Sequence, residues 1–246
     1  MTLFNKSAFV PLFIFSSVCF LSACKADRFQ AQPLASFSVT HAAPGGPAVD
    51  VVVDGQVTSV SRLNFGNTTI SKTGSALIYL PASTGTRNIK ISTDSGKTSA
   101  IETNFSFETG KIYSFFAMDT VLNAKLKALQ LTDDLTLPAA GMAHVRFLHL
   151  APTSAPVDVT MTRGTDSVTM PTMSYVGTLA NPNIAALSKF TPIPAGTYTI
   201  KVKTAGTQTV LAQSAATALG AVKIYTFYAK GGAKSQPLSV STMINY

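Results

Sequence analysis

Two histidines each stand nine residues ahead of an aspartate: His41 before Asp50 and His149 before Asp158, with a proline-containing stretch between the members of each pair. An imidazole beside a carboxylate can move a proton, orient a catalytic base or supply half of a metal site. It can equally hold a turn, because a buried polar group must bond something and the turn's own amides and carbonyls are nearest. Strand parity favours the turn. Side chains alternate along a strand, so His41 shares a face with Phe37 and Val39, while Asp50 faces away from Val49 and Val51. Direct contact between His and Asp would need a bulge or a strand crossing. His41, Asp50, His149 and Asp158 are therefore expected to be structural pins. A zinc or calcium centre wants three or more ligands and each motif offers two, so neither metal nor cofactor is expected.

Other catalytic equipment is sparse. The chain has no Gly-x-Ser-x-Gly, His-Glu-x-x-His, Cys-x-x-Cys, phosphate-cradling glycine loop or calcium loop. Glu102 and Glu108 are its two glutamates, and a carboxylate pair would have to come from Asp133 and Asp134, where a solvated turn is the simpler reading. The expectation is a protein that is not an enzyme. Cys19 and Cys24 are the two cysteines. Lys6 precedes an uncharged run from Ala8 to Phe20, the arrangement of an export signal and too short to span a bilayer. Leu21-Ser22-Ala23-Cys24 closes that run and resembles the lipobox of a bacterial lipoprotein. The resemblance implies cleavage before Cys24, acylation of its sulfur and amino terminus, and a membrane partner reached through lipid. Each buried methylene adds roughly 0.8 kcal/mol, so several chains anchor firmly.

Positioning elements come from a duplication. Ser38 to Val51 returns as Arg146 to Val159, with His, Ala-Pro and Val-Asp-Val at identical offsets. Gly85 to Ile91 returns as Gly196 to Val202, and Lys111 to Ala117 as Lys223 to Ala229. A unit of about 105 residues is a whole domain. Within each copy the period is two, with turn residues every 8 to 12 positions, which predicts about eight short strands: near 36–41, 48–53, 57–63, 75–80, 87–92, 102–107, 111–118 and 127–132, with counterparts in the second copy. Ala124 to Gln130 has the best helical pattern and is still read as strand or its approach. The expected organisation is a signal peptide over 1–23, lipidated cysteine and tether over 24–35, a first repeat over 36–135, a linker over 136–142 and a second repeat over 143–246. Stability must come from packing, since the mature chain would hold no thiol free for a disulfide.

The His-x-Ala-Pro, Val-Asp-Val and Lys-Ile-Tyr-x-Phe elements resemble the bacterial family known as domain of unknown function 4397, over nearly all of residues 35–246. That resemblance implies an all-β fold of two tandem immunoglobulin-like antiparallel β-sandwich domains, a lipoprotein of the Bacteroidota type, and no catalytic residues to transfer. Gly196-Thr197-Tyr198 also resembles the approach to a tyrosine corner, in which a hydroxyl pins a crossover between sheets; the first copy has Arg87 there.

Charge offers the one lead about partners. Residues 35–142 hold eight basic and eight acidic side chains, whereas 143–246 hold eight basic and two acidic. Lys201, Lys203, Lys223 and Arg146 form the candidate anionic-ligand surface, with solvated, edge-protecting lysines as the plainer reading. Nucleic acid is disfavoured, because no recognisable basic and aromatic module is present. Asp119-Thr120-Val121 and Asp166-Ser167-Val168 resemble a short O-glycosylation pattern. Lys25 follows the cysteine where an aspartate would mark inner-membrane retention, so the outer membrane is the expected location. The leading expectation is a lipid-anchored cell-envelope protein for protein or glycan interaction, whose partner is an anionic glycan or another envelope protein. A structural spacer comes second and an unrecognised hydrolase third.

Overall fold

The computed structural model describes residues 33–58, 62–69, 79–120, 126–232 and 236–246. Cys24, the signal and most of the tether lie outside the described residues, as do most of the strand expected near 75–80 and the middle of that near 57–63.

The first copy runs β1 (Leu34–His41), β2 (Asp50–Val53), β3 (Gln56–Val57), β4 (Leu80–Ser83), β5 (Gly85–Ser92), β6 (Ser99–Phe107), β7 (Ile112–Met118) and β8 (Lys127–Thr132). The second runs β9 (Met142–His149), β10 (Val157–Arg163), β11 (Asp166–Met173), the short α1 (Ile184–Ser188), β12 (Thr191–Pro194), β13 (Gly196–Thr204), β14 (Val210–Gln213), β15 (Thr217–Leu219), β16 (Ile224–Lys230) and β17 (Ser239–Ile244). The chain is all-β, as the period of two predicts. Alternation makes the strands: in β13, Tyr198, Ile200 and Val202 are buried while Thr199, Lys201 and Lys203 are not. Asp54 and Gly55, both at positive φ, close the two-residue hairpin between β2 and β3, a conformation that Asp-Gly adopts readily.

Each copy is a sandwich. One sheet has the order β4-β1-β7-β8 and its equivalent β12-β9-β16-β17; the other has β3-β2-β5-β6 and its equivalent β11-β10-β13-β14, with β15 added beside β13. Among the described residues, pairing is antiparallel except for one parallel pair per copy, β1 with β7 and β9 with β16. Phe37, Val39, Ile89, Ile91 and Phe115 fill the first core, and Val145, Val159, Ile200, Val202 and Phe227 the second. Full burial of such a side chain contributes roughly 1.5–3 kcal/mol.

A third cluster joins the copies. Phe116, Leu131, Leu148, Tyr228 and Met243 project from the outer faces of the two parallel-paired sheets and pack together. Those sheets are therefore covered on both faces, and the molecule is four sheets deep in the order β2/β5, β1/β7, β9/β16, β10/β13. Residues from Gln32 to Tyr246 form one compact unit.

This central interface has a local two-fold character. Register matching makes Phe116 the equivalent of Tyr228 and Asp133 the equivalent of Asn245, and each equivalent pair meets across it. The Phe116 and Tyr228 rings lie 6.2 Å apart, and the Asn245 side-chain amide lies 3.4 Å from Asp133 Oδ2. Self-equivalent contacts of this kind mark an isologous interface.

Candidate functional site

The two members of each His-Asp motif turn to different backbone groups. His41 Nε2 donates to the Pro47 carbonyl at 3.2 Å, and His149 Nε2 donates to Ala155 at the same distance, six residues on in both copies. A carbonyl can only accept, so both rings carry the proton on Nε2. His149 Nδ1 then accepts from Ala151 N at 3.4 Å, whereas His41 Nδ1 has no hydrogen-bond partner among the described residues. Burial holds both imidazoles below their ordinary pKa, only partly offset by the carbonyl bonds. These are neutral rings that close loops.

The aspartates hold the turn after the neighbouring strand. Asp50 accepts from Ser95 N at 2.9 Å and lies 3.3 Å from Arg62 Nε. Asp158 accepts from the Thr172 hydroxyl at 2.5 Å and from Gly206 N at 2.7 Å, bonds that lower its pKa. Tyr198 forms the expected corner, its hydroxyl donating to Pro194 O at 2.9 Å. Arg87 keeps the same connection with different chemistry, Nε donating to Ser83 O at 3.2 Å, again four residues back. The repeated Lys-Ile-Tyr element is the sequence signal of a further pin not expected above: the tyrosine of each accepts from the amide five residues earlier, Tyr113 from Glu108 and Tyr225 from Gly220.

The four residues expected to form an anionic-ligand surface separate. Lys201 and Lys203 share the outward face of β13. Lys223 precedes β16 in the other sheet, with its ammonium 5.1 Å from the Tyr246 ring. Arg146 does not belong to any surface: it is 3% exposed, and its guanidinium lies 4.5 Å over Phe190 in the central interface. The reason is that the outer face of β9 is covered by the first copy, so the outward parity that places a side chain in water elsewhere buries it here.

Asp133 departs from the expected solvated turn for the same reason. Its side chain is fully buried rather than part of a solvated turn, while neighbouring Asp134 is exposed and bonds Thr136. Arg146 Nη1 lies 2.7 Å from Asp133 Oδ1, close but not aligned as a hydrogen bond. The other oxygen, Oδ2, accepts from Ser114 at 2.5 Å and from Tyr79 at 2.8 Å. Arg146 Nε donates to Thr226 at 2.8 Å, Thr226 to Asn245 at 2.7 Å, and the Asn245 amide to Tyr79 at 2.9 Å. Desolvation and the Asp133 charge push the Tyr79 phenol far above its ordinary pKa, so it stays a donor.

An open groove of about 1060 Å³ runs beside the edge strands β6 and β8, under the segment that carries Val176, Leu179 and Ile184. Among the described residues no three His, Cys, Asp or Glu side chains gather where they could hold a metal ion.

The duplicated sandwiches, with their loops pinned at equivalent positions, define a tandem all-β protein. The model of the family described as "Domain of unknown function (DUF4397)" matches residues 35–160, half of the chain, and the chain belongs to that family. The match takes in the first copy, β9 and the start of β10. No curated protein matches. Among solved structures, a leucine-rich repeat protein from Bacteroides thetaiotaomicron is similar at 12% identity, with a TM-score of 0.20, over 80% of this chain and 26% of its own. The chain thus spans about a quarter of that protein's length.

Proposed function

We propose that this protein is a non-enzymatic interaction module of the bacterial cell envelope, held to the membrane by lipid on Cys24, and that the outward face of the β11-β10-β13-β14 sheet takes an anionic glycan. A difference between two equivalent faces carries the reading. In the first copy Lys90 stands opposite Glu102, N to O 3.4 Å, and the charges cancel. In the second copy Lys201 takes the place of Lys90 and Gln213 the place of Glu102. Among the described residues no carboxylate pairs with the Lys201 ammonium. Asp158, opposite Lys203, is already engaged by Thr172 and Gly206.

Hydroxyls surround the two lysines. Thr160, Thr162, Thr169 and Thr199 stand on the same face by register. Strands about 4.8 Å apart with a two-residue repeat of about 6.8 Å set out donors and acceptors on a flat lattice, and a sugar chain bearing carboxylates or sulfates complements both features. Retention on acidic and neutral polysaccharides, at low and high salt, tests the reading. Selective, salt-sensitive retention on the acidic one, weakened about tenfold or more by K201E/K203E, is the expected result. Equal retention on both, or retention that survives about 1 M salt, refutes it. For the anchor, C24A should release the protein from sedimenting membranes.

The structural spacer is the second reading, favoured by the unbroken packing through all four sheets. It predicts no retention on either polysaccharide.

A further inference from the structure

Equivalent positions in the central interface carry different chemistry in the two copies. Register matching pairs Ser38 with Arg146, Ser114 with Thr226, Tyr79 with Phe190 and Asp133 with Asn245. The bonding repeats as well: Ser38 lies 3.4 Å from Ser114 as Arg146 lies 2.8 Å from Thr226, and Ser114 donates to Asp133 as Thr226 donates to Asn245. A symmetric framework therefore holds one acid and one base, and each sits on a different copy.

We infer that Arg146 and Asp133 are a pairing code, which makes the outer face of each copy fit the other copy and reject its own kind. Because Asp133 touches its own equivalent, Asn245, at 3.4 Å, a pairing of two first-copy faces would press two carboxylates together with no cation. Two second-copy faces would bury two guanidiniums with no carboxylate. Either arrangement leaves like charges in a site from which water is excluded, and unpaired buried charge is what destabilises most. The remaining contacts carry no charge: Phe116 packs on the Tyr228 ring, Leu131 and Leu148 share the apolar cluster, and the Tyr228 hydroxyl adds a neutral hydrogen bond to Gly66 O. The two-fold framework supplies the fit, and the charges supply the direction.

Four full-length chains test the code. R146S/N245D gives the second copy the first copy's residues, so acid faces acid. S38R/D133N gives the first copy the second's, so base faces base. All four substitutions together transpose the pair to the equivalent sites, where Tyr79 stands in the place of Phe190 as the aromatic neighbour of the new guanidinium. Unfolding equilibria and hydrogen exchange of β1, β7, β9 and β16 amides are the readouts.

Both mismatched chains are expected to raise the unfolding constant by about a hundredfold or more and to lose protection in those strands, or to fail to fold. The transposed chain should fold and stay within about tenfold of the native one. A transposed chain as weak as the mismatched pair overturns the inference, and so do mismatched chains that match the native one.

Discussion

Replacing Asp133 with Asn removes one charge and almost no volume, so its cost isolates the electrostatics of the central interface. Asparagine's side-chain oxygen can still accept from Ser114 and Tyr79. What is lost is the counter-charge 2.7 Å from Arg146, whose side chain is 2% exposed. Breaking a buried pair by removing one partner costs about 3–5 kcal/mol, and the surviving hydrogen bonds place D133N near the lower figure. For a unit of this size each kcal/mol shifts Tm by about 2–4 °C, so a fall of about 6–12 °C is expected. E102Q is the internal control, because it makes the same acid-to-amide change in a pair whose side chains are 22% and 47% exposed. Solvent and salt screen that pair, so its loss should shift Tm far less. Removing both buried charges with D133N/R146M, which keeps an acceptor for Ser114 and Tyr79, should cost less than D133N alone, since no uncompensated guanidinium remains. Thermal and urea unfolding of the four chains decides the matter. A D133N shift no larger than that of E102Q would refute the electrostatic account.

Acid should weaken the fold before the carboxylates titrate: both loop imidazoles are held below their ordinary 6.5, so the unfolded chain takes up protons that the folded one resists. Stability is then whole above about pH 6.5 and falls as pH drops below it; a urea midpoint flat from about pH 7.5 to 5, or a slope unchanged in H41N/H149N, contradicts this. Y198F deletes the hydroxyl that holds Pro194 and should cost about 1 kcal/mol, measured by urea unfolding, with no change at the equivalent Arg87 corner. Gly231 and Gly55 have similar positive φ, but a Cβ at Gly231 would overlap the Pro237 carbonyl whereas nothing lies near Gly55. G231A should therefore lower Tm clearly more than G55A does, and equal shifts would mean that the backbone can move aside.

The fold was legible because its strands alternate and its repeat is long. Val-Asp-Val and Lys-Ile-Tyr recur at fixed offsets, and both fall on strands or their turns. The histidine and aspartate pins were legible for the same reason: a polar group placed twice beside a turn has a turn to hold. Arg146 and Asp133 were misread because alternation says which side a residue faces and not what lies on that side. Phe116, Leu148 and Tyr228, all at outward parity, were the available warning. Strands apolar on both faces are covered on both faces, as parallel-paired sheets usually are. Lys223 was grouped with Lys201 by charge alone, and sheet membership, which sequence does not state, separates them.

The parallel pairing of β1 has a mechanical consequence. Any pull from the N-terminal side of the chain enters at Leu34 and runs along β1, which is bonded to β4 over Leu34–Phe37 and to β7 over Ser36–His41. Those rungs lie across the line of force, so they share the load and must rupture together instead of unzipping in turn. A pull from that side would meet the molecule at its shear-resistant strand.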